Sequence, residues 1–345
     1  MPVNALPTHL ITGLLGSGKT TLLRHLISQK PANERWGILI NEFGDIDLDA
    51  ATLQATNSGE HVHIQEVSGG CVCCTAQHGL TQALHTLLQQ PLDRLFIEPT
   101  GLGHPAKLLD TLKRTAFARP LALQAVVCVI TPSQLTPERW QKSAVMRDLV
   151  TLADLIVLNK TDQAGSELQQ QAVALLNGLY PPKTAVIATQ FGRLDWTQLQ
   201  RPHQPAPLLF LQGLDEHAEH LACANTKYTS SLPQHPACWV SHDAKTARLR
   251  ALGWIFSAQT QFNRIALKAF FNEISPHLAR AKGLLKTGNE WQLINWSDGQ
   301  LTFEDIAWRQ DSRLELLFNN EVELTENDLE LSLAATINNL NNRAK

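Results

Sequence analysis

The chain has 345 residues and a formal net charge of −3, with no block of five or more like charges. Nothing supplies the phosphate-neutralising term that a nucleic-acid binder needs, and no stretch reads as a basic amphipathic membrane helix, so neither nucleic acid nor membrane is expected as a partner. The length exceeds what one hydrophobic core usually organises and predicts two domains.

The first element is a short apolar strand, Thr8-His9-Leu10-Ile11-Thr12, running straight into Gly13-Leu14-Leu15-Gly16-Ser17-Gly18-Lys19-Thr20. This is a complete G-x4-G-K-T phosphate loop, and Thr21-Leu22-Leu23-Arg24-His25-Leu26 continues it as a helix. Glycines let successive N–H groups turn inward, while the helix N-terminus adds its positive dipole end. Gly13, Gly16, Ser17, Gly18, Lys19, Thr20 and Thr21 are therefore the candidate phosphate contacts. Lys19 would reach the β- and γ-phosphates, and the Thr20 hydroxyl would ligate Mg²⁺.

Next comes a strand over Trp36-Gly37-Ile38-Leu39-Ile40, then Asn41-Glu42-Phe43-Gly44. After Val62-His63-Ile64 lies Cys71-Val72-Cys73-Cys74, which gathers three of the six cysteines into four residues. The N-terminus carries no charged-plus-apolar leader and no apolar run approaches about 18 residues, so a cytoplasmic protein is expected. In that reducing setting, clustered thiols read as metal ligands or redox groups rather than disulfides. In an extended segment Cys73 and Cys74 point apart, so a tetrahedral ion would draw further ligands from elsewhere. Soft thiolates favour Zn²⁺, Co²⁺ or Cu(I).

Arg94-Leu95-Phe96-Ile97 reads as another strand, with Glu98 at its end. The apolar run from Leu123 to Thr131 buries Cys128 as packing. Asp154-Leu155-Ile156-Val157-Leu158 ends in Asn159-Lys160-Thr161-Asp162. A carboxylate at Asp162 can accept from both N1–H and the exocyclic amine of guanine, whereas adenine would leave it unpaired. GTP, and GDP as its product, are the expected nucleotides.

Taken in order, the phosphate loop, Asn41-Glu42-Phe43-Gly44, Cys71-Val72-Cys73-Cys74, Ile97-Glu98-Pro99-Thr100-Gly101 and Asn159-Lys160-Thr161-Asp162 resemble the CobW-like metal-chaperone GTPases. These are relatives of the hydrogenase and urease nickel-insertion GTPases. The likeness runs over about residues 8 to 190 and continues more weakly from Gly253 to Phe318, where Arg280-Ala281-Lys282-Gly283 resembles the R-x-K-G segment of the family's C-terminal domain. It implies that Glu98 or Glu42 positions water or Mg²⁺, and that the Gly101 N–H responds to the γ-phosphate. It also implies a metal-dependent client protein, with zinc the first choice of metal and cobalt the second. Related GTPases often dimerise on nucleotide, so a nucleotide-dependent homodimer is an expectation that no residue here shows. In one respect the chain departs from the family. Where some members carry two glutamates associated with zinc, it has Leu39 and Asp45. The metal set then rests on Cys71, Cys73 and Cys74, with Asp45 or Glu42 as oxygen ligands.

The alternation of apolar strands with helical patterns, through Leu80 to Leu88, Glu167 to Leu176 and Thr184 to Ala188, predicts an α/β domain of P-loop NTPase type over residues 1–200. Its sheet would be mainly parallel with helices on both faces. Pro202, Pro205, Pro207, Pro233 and Pro236 mark residues 201–247 as a linker or irregular covering. His217, His220, Cys223, His235, Cys238 and His242 fall in it, but 13 histidines scattered along the chain would produce such spacing without purpose. A smaller α+β domain is expected over 248–345: Trp254-Ile255-Phe256, a helix from Phe262 to Leu278, strands at Trp291-Gln292-Leu293-Ile294 and Leu314 to Phe318, and a last helix capped by Thr325. The expected activity is Mg²⁺-dependent GTP hydrolysis coupled to metal transfer. No obvious arginine acting in cis is evident, which predicts slow intrinsic turnover, with Arg24, Arg114 and Arg119 left open for that role. A small-molecule phosphotransferase and a non-catalytic, metal-responsive nucleotide-binding module are the two alternatives.

Overall fold

A computed structural model describes residues 5–40, 62–66, 75–99, 105–115, 117–200, 227–231, 238–245, 249–297, 299–308, 310–319 and 325–338. For residues 66, 75–78, 105, 114, 227–231, 238–245 and 249 the description extends to the backbone only. The chain divides into two compact units, Met1–Ala206 and Pro207–Lys345.

The first unit is built on strands β1 (Leu6–Gly13), β2 (Trp36–Ile40), β3 (Val62–Glu66), β4 (Arg94–Glu98), β5 (Leu121–Leu123), β6 (Val127–Ile130), β7 (Leu155–Leu158) and β8 (Ala185–Ala188). Seven lie in the order β3-β2-β4-β1-β6-β7-β8, and β5 pairs with the start of β1. Every pairing is parallel. Among the described residues the α-helices are α1 (Lys19–Ser28), α2 (Thr75–Leu87), α3 (Pro105–Arg114), α4 (Pro137–Lys142), α5 (Ala144–Leu152) and α6 (Ser166–Asn177). Strands such as Trp36-Gly37-Ile38-Leu39-Ile40 are buried at every position, which is what a parallel sheet covered on both faces requires. One apolar cluster joins Leu22, Leu23 and Leu26 of α1 to Ile11, Ile38 and Val157. Another joins Met146, Leu149 and Val150 of α5 and Leu176 of α6 to Cys128, Ile130 and Ile156. The apolar run from Leu123 to Thr131 takes in the last residue of β5 and all of β6, because after β5 the chain leaves the start of β1 and re-enters beside its end.

The second unit holds an antiparallel sheet in the order β14-β13-β12-β15-β11-β10-β9. Its strands are β9 (Lys227–Ser231), β10 (Cys238–Lys245), β11 (Leu249–Ser257), β12 (Leu278–Thr287), β13 (Glu290–Ser297), β14 (Gln300–Ile306) and β15 (Asp311–Asn319). Helices α7 (Arg264–Ile274) and α8 (Glu326–Ala334) pack their apolar residues, including Leu267, Phe270, Phe271, Leu329 and Leu333, with Trp254, Phe256, Leu314 and Leu316. Asn263 caps α7 through its side-chain oxygen, and Thr325 accepts from Asp328 N at the start of α8. One correction concerns the proline-punctuated stretch. It contributes β9 and β10, which pair with each other and, through β10, with β11. Prolines at 233 and 236 fall between these strands in the sequence rather than within them, so neither removes a donor from the pairing. The Arg280-Ala281-Lys282-Gly283 segment lies on β12. A side chain at Gly283 would collide with Leu314 and the Arg313 carbonyl, so the glycine permits close approach of β15.

Candidate functional site

In a parallel sheet, ligands gather beyond the carboxyl ends of the strands. The described site is built there, from the segments that follow β1, β6, β7 and β8 and the last residue of β4. The phosphate loop leaves β1 with Gly13, Gly16 and Gly18 at φ values of 145°, 74° and 99°. Gly18 is the N-cap of α1, in the left-handed region, and the first turn has neither a side-chain cap nor an acidic residue. That leaves the positive end of α1 uncompensated from within the helix. Lys19 is 7% exposed, and its Nζ donates to Leu14 O at 3.3 Å, so the ammonium folds back over its own loop. Ser17 is buried, and its Oγ has no hydrogen-bond partner among the described residues. Thr21 is exposed.

Thr20 and Glu98 meet, although 78 positions separate them: Thr20 Oγ1 donates to Glu98 Oε1 at 3.3 Å. Glu98 is buried at the last position of β4, one strand away from β1. Two hard oxygen donors beside a phosphate loop suit Mg²⁺, which prefers a few carboxylate or hydroxyl ligands plus phosphate and water.

Asn159 is 1% exposed and braces three segments at once. Its Nδ2 donates to Ser17 O at 2.9 Å, and its Oδ1 accepts from Gly192 N at 3.0 Å. Lys160 follows in the left-handed region, at φ 57°. Asp162 is exposed on a 3₁₀ turn, Thr161–Gln163. Thr161 donates to Thr189 O through both N (3.2 Å) and Oγ1 (3.0 Å), tying the tetrad to the segment after β8.

Four residues at this edge escape a motif reading. Gln134 holds the loop tip, donating from Nε2 to Leu15 O at 2.9 Å while its Oε1 accepts from Thr131 N. Thr189, Phe191 and Gly192 follow β8. A Cβ at Gly192 would strike Leu22 N and Cα at 2.7 and 2.8 Å, so the chain can cross α1 there only without a side chain. The available signal was positional: each of these residues follows the carboxyl end of a parallel strand.

Other expectations resolve differently. Arg119 donates to Leu92 O at 2.5 Å, ahead of the start of β4 and therefore at the end of that strand opposite Glu98. It is not placed to act on a phosphate. Arg24 is half-buried on α1, one turn behind Thr20, and the side chain of Arg114 is outside the description. Leu39 is fully buried in β2, consistent with a core residue rather than a ligand. Burial pushes the Cys128 thiol up to about 12, keeping it an inert packing group. Asn41, Glu42, Gly44, Asp45, Cys71, Cys73, Cys74, Gly101, His217, His220, Cys223 and His235 lie outside the described residues. Among the described residues, no group of three His, Cys, Asp or Glu could hold a metal ion, and no helix is long and apolar enough to cross a membrane.

With this architecture in place, comparison with known proteins defines the class. Residues 7–186 match the CobW/HypB/UreG nucleotide-binding domain, and residues 252–336 match the cobalamin synthesis protein CobW C-terminal domain. The chain belongs to the CobW/HypB/UreG family. Among its relatives, the zinc chaperone YeiR of Escherichia coli K12 is 35% identical over 337 residues, covering 95% of this chain and 99% of that protein. The zinc chaperone CobW of Pseudomonas aeruginosa is 28% identical over 242 residues, covering 62% of this chain and 61% of that one. Among solved structures, the Zn(II)-bound YjiA GTPase from E. coli aligns over 96% of this chain and 99% of that chain, at 17% identity and a TM-score of 0.45.

Proposed function

We propose that this protein is a GTP-hydrolysing metallochaperone or metal-insertion factor that carries zinc to a metal-dependent client protein in the cytoplasm. The observation that carries the nucleotide half is the meeting of Thr20 with Glu98 beside the buried Lys19, under a loop pinned from below by Asn159. The metal half rests on Cys71-Val72-Cys73-Cys74, with Asp45 and Glu42 as oxygen donors, and on relatives named as zinc chaperones. Those names favour zinc over cobalt.

The chemistry this assigns is mostly positioning and electrostatics. The α- and β-phosphates lie against the backbone N–H groups of residues 16 to 20, where the α1 N-terminus favours negative charge. Lys19 leaves Leu14 O for the β- and γ-phosphates. Thr20 and Glu98 are the residues that would hold Mg²⁺, which when bound neutralises charge on the β- and γ-phosphates. Glu98, or Glu42, orients the water whose oxygen bonds to the γ-phosphorus as the bond to the bridging oxygen breaks. Asp162 reads the guanine edge. The Gly101 N–H senses the γ-phosphate, and its loss alters the thiolates that follow β3 in the sequence. Nucleotide and metal binding are then thermodynamically linked, and the linkage is reciprocal.

The test is GTP hydrolysis by metal-stripped protein with Mg²⁺ present, titrated with Zn²⁺ under reducing conditions beside a Cys73→Ser/Cys74→Ser variant. A zinc-dependent change in rate that vanishes in the variant is expected. Hydrolysis indifferent to zinc and to both cysteines would leave a GTPase and remove the metal from its cycle.

A further inference from the structure

Among the described residues, only Lys160 and Phe191 are non-glycine residues with positive φ, and both stand at the rim of the candidate site. For Lys160 the neighbouring motif supplies a reason. For Phe191 nothing does. Arg193 N donates to Gln190 O at 3.1 Å, closing a four-residue turn with Phe191 and Gly192 at its centre, at φ values of 54° and 64°. Positive φ at both central positions is the pattern of a type I′ turn, for which Asn, Asp or Gly is strongly preferred at the first of them. An aromatic residue there is strained.

Burial does not compensate for that strain, because Phe191 is 60% exposed. Nor is the turn loosely placed. Thr189 O accepts two hydrogen bonds from Thr161, and Gly192 N donates to Asn159 Oδ1. Phe191 is thus bracketed by residues fastened to either side of Lys160 in the Asn159-Lys160-Thr161-Asp162 tetrad. The Arg193 guanidinium stands over the ring, 5.9 Å from its centroid, and with the residue 60% exposed, ring surface remains for a second planar group.

We propose that Phe191 is a base-binding residue: its exposed ring stacks on the purine ring of the nucleotide that Asp162 reads at the edge. This rests on the nucleotide reading above and deepens it by dividing the work. Stacking is tolerant of base identity because every base has a π-face, so Phe191 supplies affinity for the base while Asp162 supplies preference for guanine. The cost of holding Phe191 in the left-handed region is then a cost of function, of the kind that concentrates at ligand clamps.

The experiment measures binding of GDP and of inorganic pyrophosphate by calorimetry, together with thermal unfolding, for the unaltered chain, Phe191→Gly and Phe191→Trp. Phe191→Gly is expected to weaken GDP roughly tenfold, from the usual worth of one base–aromatic stack, and to leave pyrophosphate unchanged. It should not lower the unfolding midpoint, since glycine accepts this φ without strain. Phe191→Trp should restore GDP affinity. Unchanged GDP affinity in Phe191→Gly overturns the proposal, as does equal weakening of GDP and pyrophosphate, which would mean that the turn acts on the phosphate loop through α1. An unaltered chain that binds pyrophosphate but shows no preference for GDP would overturn the stack while sparing the phosphate loop. Failure to bind either ligand would overturn the nucleotide reading itself.

Discussion

Two buried polar clusters, one in each unit of this protein, are arranged in opposite ways. In the antiparallel unit a buried ion pair is closed by its own neighbours. Arg313, fully buried, pairs with Asp311 at 2.5 Å, and Trp291 and Trp308 donate their ring N–H groups to the Asp311 carbonyl. In the parallel unit one group of buried polar residues, Ser17, Lys19, Glu98 and Asn159, gathers at the carboxyl edge of the sheet. Among the described residues, Ser17 Oγ has no hydrogen-bond partner, Lys19 Nζ donates to a carbonyl of its own loop, and the two non-glycine residues with positive φ, Lys160 and Phe191, stand at the same edge. A closed network specifies a fold, whereas an open one at the carboxyl edge of a parallel sheet awaits a ligand.

The largest effect that would sharpen this contrast lies in the closed network. Arg313→Ala should destabilise by about 3–5 kcal/mol in urea unfolding, because it leaves the Asp311 carboxylate buried and uncompensated. Pairing Arg313→Met with Asp311→Leu should recover most of the loss. A mild effect for Arg313→Ala would mean that the network is not closed. Lys19→Ala should do the reverse, lowering kcat for GTP by about 10²–10³-fold with little change in stability. A large loss of stability in that variant would erase the distinction between the two units.

Asn159→Ala crosses both categories. It removes the bonds to Ser17 O and from Gly192 N, so it should cost about 1–3 kcal/mol and weaken nucleotide binding together. Binding lost without any loss of stability would show that the brace is a ligand contact rather than a pin.

The smallest effect concerns pH. His9 is buried in β1, stacked on Phe96 with ring centroids 4.8 Å apart. Arg94 Nη1 lies 2.9 Å from its Nε2, and since an arginine can only donate, Nε2 accepts. Burial first, and the Arg94 charge second, lower its pKa from 6.5 to about 3. A depressed pKa means that the unfolded chain takes up a proton near pH 6.5 that the folded chain refuses. The stability from neutral His9 is therefore complete above pH 6.5 and falls as pH drops toward 3. At pH 5.5 the loss should be about 1.4 kcal/mol, and His9→Gln should remove this part of the slope.

Much of the site was legible because its parts are local. A G-x4-G-K-T run after an apolar strand forces a phosphate loop wherever the chain folds. The all-apolar strands, read with the helical segments between them, were enough for a parallel sheet, since period and composition are set by nearest neighbours. The position of Glu98 was legible for the same reason: it is the residue that ends β4. Tertiary structure decided what depends on contacts between distant segments. Asn159 reads in sequence as part of a base-recognition tetrad, yet its amide is spent on Ser17 and Gly192, 142 and 33 positions away. Gln134 carries no motif and holds the tip of the phosphate loop. Arg119 looked available and is committed at the far end of β4. The prolines around β9 and β10 marked breaks in the chain but could not say that the pieces between them would find β11. Local chemistry sets which residues can bind a phosphate or begin a helix. Only the packing of distant strands determines which of them face the same space, because that choice depends on loop closure and register, and no short window of residues contains either.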